Sequence, residues 1–363
     1  MNISMTRLTR LVVAILVLLF AGAHASAQDA RYVPLTGETP LFSENSLLEV
    51  TITAPLTTLM EERPDEEYLA GTFSLATDEG EERILDLKLR TRGKYRRDKS
   101  HCDFTPIRLN FKKDQLFDTV LAGQDKLKVV THCRSRDPRF DQLVLREYLA
   151  YRIFNLLTDK SYRVRLMRIN YVDTEAEATR TRLGFVIEDD DHVAQRNGMQ
   201  VVKRDNLEAE DLDLEQQNLV DVFQYMIGNT EYSLHVSEPN DDCCHNTDLM
   251  SVDGEKPYTP LPYDFDFAGL VSAPYAEPNP RYKLRHVRQR LYKGLCSNND
   301  RLAGTVQRFL DRKDAVFELV DQLDGLNGKS RKQVVAYLNT FYKRIADPRS
   351  VRVRLEYKCR GRL

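Results

Sequence analysis

Past Ala21 the chain has no apolar run approaching the roughly 20 residues that a membrane-spanning helix requires, so no span is expected in the mature protein. It also has almost no excess of either charge: 53 Lys and Arg stand against 55 Asp and Glu, a formal net charge of −2. A balance that even gives no argument for nucleic acid or an anionic membrane surface as a partner. No internal repeat and no low-complexity linker interrupts the sequence. What is plentiful is charge of both signs, 30% of all residues, and a length sufficient for a large core.

The first residues read as an export signal. Arg7 and Arg10 make a basic start, Leu11 to Ala21 an apolar stretch, and Ala25 and Ala27 flank Ser26 in an A-x-A cleavage pattern. Cleavage is expected after Ala27, ending a signal peptide over 1–27 and leaving 336 residues (363 minus 27) in the periplasm or outside the cell. Six cysteines, Cys102, Cys133, Cys243, Cys244, Cys296 and Cys359, fit such an oxidising compartment and allow up to three disulfides. Cys102 and Cys133 flank neighbouring strand-like runs and are the preferred pair; the sequence leaves the full connectivity open. Cys243-Cys244-His245 makes a poor zinc motif, because adjacent ligands point apart on extended backbone and zinc sites usually space their cysteines.

From Ser46 to Phe111 the pattern is period two: 47–53, 68–77, 83–93 and 106–111 alternate apolar with polar residues between charged or Pro/Gly turns. That predicts a largely antiparallel sheet. A further strand over 125–133 leads into 142–159, where Leu145, Leu149, Ile153 and Leu156 fall at helical spacing. Strands are expected over 162–174 and 181–193, the acidic run Glu188 to Asp191 marking the exit from the sheet. Leu219, Val222, Phe223 and Met226 give a second helix that Gly228 and Asn229 would stop. Two further helices are expected over 303–324 and 330–346, forming an antiparallel pair with Gly325 and Gly328 between them. The fold class is therefore α+β: a β-rich N-lobe with one helix over 28–193, then a mainly helical C-lobe with a short strand pair over 194–363.

The stretch LPYDFDFAGL, 261–270, carries the chemistry. On an extended strand Asp264 and Asp266 share one face and Tyr263, Phe265 and Phe267 the other, so the aromatics would anchor while the carboxylates are presented. Two carboxylates so close repel unless a cation lies between them, which suits Mg²⁺ or Mn²⁺; the plainer reading is a strand end with two solvated aspartates. Upstream, Glu231 ends a helix and Asn246 precedes a short apolar strand. A carboxylate, an amide and a D-x-D string in that order is the layout of a phosphoryl-transfer site. The basic cluster Arg90, Arg92, Lys94, Arg96, Arg97 and Lys99 is either a solvated strand edge or a phosphate-facing patch, for which Gly93 permits a tight turn.

With those residues in place, the chain resembles the secreted bacterial kinases related to the spore-coat protein CotH, an atypical branch of the protein-kinase-like fold. The resemblance lies in motifs between Asp86 and Ala276: LRTRG at 89–93, the strand and helix around 126–154, GFVIEDDDHV at 184–193, and GNTEYSLH through PYDFDFAG. It implies a two-lobed protein-kinase-like fold with an antiparallel N-lobe and ATP as co-substrate. It further implies that Asp264 binds the metal, with Asp266 as second ligand or catalytic orienting group and Asn246 on the other side. Glu147 would pair a phosphate-binding lysine, Lys128 or Lys126, with Arg108 as alternative, and the backbone near Glu188 would meet adenine. The catalytic position falls on Glu231, where the family pattern has aspartate; the extra methylene moves the carboxylate by about one carbon–carbon bond length, and a misplacement on the order of 1 Å can cost 10²-fold in rate. The G-x-G-x-x-G loop is absent as well, only Gly93 standing in the corresponding turn. Three functions remain open: phosphoryl or nucleotidyl transfer to a protein or glycan acceptor, a pseudokinase or binding module that keeps the fold but not the transfer, and a structural envelope protein whose acidic pair holds Ca²⁺.

Overall fold

The alternating runs near the N-terminus become strands whose inward residues share one barrel interior. The computed structural model describes residues 39–76, 80–204, 206–235 and 244–361. The expected export signal and Cys243 lie outside the described residues. Seven strands, β1 (Leu48–Ala54), β2 (Leu69–Ala76), β3 (Glu82–Thr91), β4 (Ile107–Phe111), β5 (Lys126–Val130), β6 (Val164–Asp173) and β7 (Ala178–Ile187), close into a barrel in the order β1-β2-β3-β4-β5-β7-β6. Ile52, Phe73, Leu87, Leu109, Val129 and Ile169 are among the side chains that fill it.

Closure corrects the expected architecture. The two-lobed kinase-like fold with an antiparallel N-lobe is not what forms: the barrel is mixed, because β1 runs parallel to β6 from Leu48 opposite Met167 to Ala54 opposite Asp173. Period-two patterning tells which face of a strand is buried but not which strand lies beside it. An open sheet would have left one edge of β1 and one of β6 unpaired, and joining them satisfies both rows of backbone groups.

Nine α-helices occur among the described residues: α1 (Pro40–Ser43), α2 (Leu56–Glu62), α3 (Arg139–Asn155), α4 (Asp190–Arg196), α5 (Leu214–Ile227), α6 (Leu302–Asp311), α7 (Lys313–Gln322), α8 (Gly328–Ile345) and α9 (Pro348–Arg354). The single helix expected over 303–324 breaks at Arg312, which leaves helical geometry at ψ 2°. Helix α5 stops where expected, with Gly228 in the left-handed region at φ 69°. A second sheet orders its strands β10-β9-β8: β8 (Gln200–Val202), β9 (Thr247–Ser251) and β10 (Thr259–Pro262). Around α3 and α5 lies a second core, in which Phe265 sits fully buried against Tyr151 and Phe223, ring centroids 4.5 and 5.4 Å away.

Disulfides join Cys102 to Cys133, the preferred pair, and Cys296 to Cys359, and Cys244 is also disulfide-bonded. Such bonds fit an oxidising compartment. Among the described residues no helix is long and apolar enough to cross a membrane.

Strand β2 approaches β1 through Gly71, where a Cβ would stand 2.6 Å from the Thr53 carbonyl oxygen. Gly71→Ala should therefore lower unfolding stability by about 1–3 kcal/mol, the usual range for overpacking. Urea denaturation measures it; an unchanged midpoint would mean that β1 and β2 part without cost.

Candidate functional site

Strand β10 ends at Pro262, and the chain then turns rather than continuing as the expected strand. Asp264 takes a left-handed conformation, φ 58°, which a strand does not contain. Its amide donates to the Tyr151 hydroxyl on α3 at 2.9 Å, holding that turn against the helix. The expected division into one aromatic and one acidic face is thereby corrected. Phe265 alone is buried, Tyr263 and Phe267 are half-buried, Asp264 is exposed and Asp266 is buried behind it. The two carboxylates nevertheless lie close enough for the charge of Asp264 to act on Asp266.

Three acids converge here, and solvent reaches only one of them. Glu147 on α3 is 3% exposed and Asp266 is 4% exposed, and the Tyr275 hydroxyl donates to Asp266 at 2.9 Å. Burial first, and the charge of Asp264 next, push Asp266 up to about 7, while Arg96 opposes the shift. Burial, then the charges of Asp266 and Asp264, hold Glu147 well above the usual carboxylate range against Arg96 and Arg92. Arg96 is the buried counter-charge. Burial works against its guanidinium, but Tyr275, Asp266, Glu147 and Asp264 more than offset that, and it donates to the Thr131 carbonyl beyond the end of β5. One buried arginine, with Arg92 near it, faces three acids, and the two buried acids answer the imbalance by holding their protons more tightly.

Two cavities adjoin this turn. The smaller, about 160 Å³, has Asp264 and Glu147 on one side and Arg92 and Lys128 among its other walls, with Val130 and Ile187 as apolar lining. Asp248 on β9 also faces it; burial and the charge of Asp190 raise its carboxyl to about 6, and Tyr162 donates to it. The larger, about 750 Å³, is lined by Glu231, His245, Phe267, Tyr275, Tyr282 and Lys293. Buried Lys293 is brought down to about 7 by burial and the charge of Arg360, with Asp221 opposing.

The residues singled out from sequence divide into those the fold gathers and those it does not. Asp264, Asp266 and Glu147 come together, and Lys128 lines the same small cavity as Asp264 and Glu147. Lys128 is paired with Asp190 at 2.6 Å rather than with Glu147, whose opposing charges are Arg96 and Arg92. Lys126 is exposed on β5. Arg108 lies directly across from Lys128 on β4, outside the residues that line the cavity. The Glu188 carboxylate is committed to structure: it accepts the Arg163 amide at 2.9 Å and Arg196 through two nitrogens at 2.9 and 3.0 Å. Asn246 ties two segments together, its carbonyl accepting the Tyr263 amide at 3.0 Å and its amide nitrogen reaching the Glu231 carbonyl at 3.5 Å. Glu231 itself faces the larger cavity.

Sequence reasoning placed Arg92 and Arg96 only within a basic cluster, and it missed Tyr151, Asp248, Tyr275 and Lys293. The tyrosines and Lys293 carry no spacing signal, since each reaches the site from a separate part of the chain. Asp248 follows Asn246 by two residues and could have been found by asking what else the β9 strand presents.

Among the described residues no group of three His, Cys, Asp or Glu side chains is arranged to hold a metal by itself. Mg²⁺ is commonly bound by one or two carboxylates together with substrate phosphates and waters, which the exposed Asp264 with Asp266 behind it suits. Zinc, with its closed sets of nitrogen and sulfur ligands, is a poor match to that pair.

The elevated Asp266 makes stability depend on pH. Between about pH 4, the unfolded value, and about 7 the folded chain keeps a proton that the unfolded chain has lost, so stability should fall as pH rises through that window. Asp266→Asn should flatten this fall and gain in urea midpoint over the wild type at pH 8 but not at pH 4; parallel profiles would count against the buried acid. A comparison of the chain with protein-family models and with curated proteins finds no match, so its function is argued from this geometry.

Proposed function

We propose that this protein binds ATP with Mg²⁺ or Mn²⁺ in the smaller cavity and transfers a phosphoryl group, or a nucleotidyl group, to a hydroxyl of a protein or glycan in the larger one. One observation carries the reading: a single short turn puts Asp264 into the small cavity and Phe267 into the large one. Donor and acceptor would then meet across Asp264 and Asp266. The reading rests on the site and on the order Glu231, Asn246, Asp264, Asp266 that resembles the CotH-related kinases, and not on a kinase-like architecture.

The chain's own residues divide the work. Arg92 and Lys128 supply positive charge for phosphate oxygens opposite the carboxylates. Asp264 and Asp266 would hold the cation, which neutralises charge on the transferring phosphate when bound. Such a cation would also relieve the repulsion that raises Asp266. Glu231 would orient the acceptor hydroxyl and take its proton as the oxygen attacks phosphorus and the bond to the leaving phosphate breaks. Phosphoryl transfer depends mainly on positioning and electrostatics, so a glutamate in this role is chemically adequate. At 160 Å³ the small cavity suits the polyphosphate end, below the 300–1,000 Å³ or so of a site that encloses a whole ligand.

Thermal unfolding with ATP and Mg²⁺ or Mn²⁺ tests the reading. Nucleotide at 100 times its Kd should add about 2.7 kcal/mol of stability, dependent on metal and lost in Asp264→Ala. No shift with either metal would overturn it. A shift without turnover would mark a binding module, and stabilisation by Ca²⁺ alone a structural role.

A further inference from the structure

Lys293 is 3% exposed, yet it borders the larger cavity. Burying an ammonium is costly unless its protons are used. Here they are used on backbone: Nζ donates to the Thr230 carbonyl at 3.1 Å and to the Tyr232 carbonyl. Those two carbonyls flank Glu231. The ammonium also lies 4.2 Å from the centre of the Tyr232 ring, whose hydroxyl donates to Asp221 on α5 at 2.7 Å. The glutamate is thus carried on a segment tied from one side by Lys293 and from the other by α5.

Lys293 is itself held from behind. The Arg360 Nε donates to the Lys293 carbonyl at 2.6 Å, its amide donates to the Gly294 carbonyl at 2.9 Å, and its own carbonyl accepts the Cys296 amide at 2.9 Å. The Cys296–Cys359 disulfide fastens this strap one residue away. Sequence gives no hint of the arrangement, because 293–296 and 359–360 lie far apart and neither is periodic.

We infer that Lys293 is a positioning residue for Glu231, fixing its carboxylate toward the larger cavity by tying the carbonyls on either side, and that the strap closed by Cys296–Cys359 holds Lys293 in place. The catalytic half of this inference rests on the proposed role of Glu231; the structural half does not. A lysine that only satisfied stray carbonyls would affect global stability and nothing else.

The test compares wild type with Lys293→Met and Lys293→Arg by amide hydrogen exchange over 229–235, by thermal shift with ATP and Mg²⁺, and by ATP turnover. Lys293→Met should speed exchange at least tenfold at Glu231 and Ser233, whose amides donate to the Asn229 side chain and the His245 carbonyl. The nucleotide shift should persist and kcat should fall about 10²-fold, the cost of a misplaced group, at unchanged KM for ATP. Lys293→Arg should restore part of both. Should Lys293→Met not fold, the Cys296→Ser, Cys359→Ser pair should show the same local exchange to a smaller extent. Unchanged exchange at Glu231 and Ser233 in a folded variant overturns the inference, as does an equal loss of kcat in the Arg and Met variants. A wild type without a nucleotide shift sinks the transfer reading instead, and exchange alone then decides the clamp.

Discussion

The buried guanidinium of Arg96 is what lets three acids share one place. Its donation to the Thr131 carbonyl fixes it to the chain just past β5, and its charge faces Glu147 from α3 and Asp264 and Asp266 from the turn after β10. Barrel, helix and turn are therefore joined through one electrostatic centre. Removing one partner of a buried charge cluster commonly costs about 3–5 kcal/mol because the rest is left uncompensated. The disulfide between Cys102 and Cys133 closes the chain on either side of that centre, which keeps the loop carrying Arg96 close to Thr131.

The imbalance in the cluster is as informative as its presence. Glu147 and Asp266 are both displaced upward, chiefly by burial, and Asp264 opens to a cavity that also presents Arg92 and Lys128. Perturbed acids at the wall of a cleft are a recurring mark of functional sites. The repulsion persists because α3, the core around Phe265 and the Tyr151 hydroxyl hold the turn in place.

Much of the secondary structure was legible in the sequence. Alternation over 47–53 and 83–93 became β1 and β3, the stripe through Leu219 and Met226 became α5, and Gly228 ended it for the backbone reason anticipated. Legibility stopped where long-range pairing decides. Nothing in the alternation of β1 names β6 as its parallel neighbour, and that one pairing turns a sheet into a barrel. In the site, the DFD string drew attention to two carboxylates that the fold does bring beside Glu147, but it suggested the wrong backbone. Pro262 closes β10, and the Tyr151 hydroxyl captures the Asp264 amide in a conformation that local sequence does not favour. Lys128 lines the same cavity as Glu147 but pairs elsewhere, since Asp190 reaches it from the start of α4. Lys293 left no trace, because its role depends on which carbonyls it happens to meet.

The parallel pairing of β1 with β6 also orders events in time. Strand β1 can pair with β2 early, yet its other edge has no partner until the chain has run through β5 and α3 and reached Val164 to Asp173. Such non-local pairing is slow to form because a long loop must close first. Until then β1 offers an unsatisfied edge to any extended segment that comes near. A newly made copy is thus most vulnerable to mispairing while its first strand waits for its sixth.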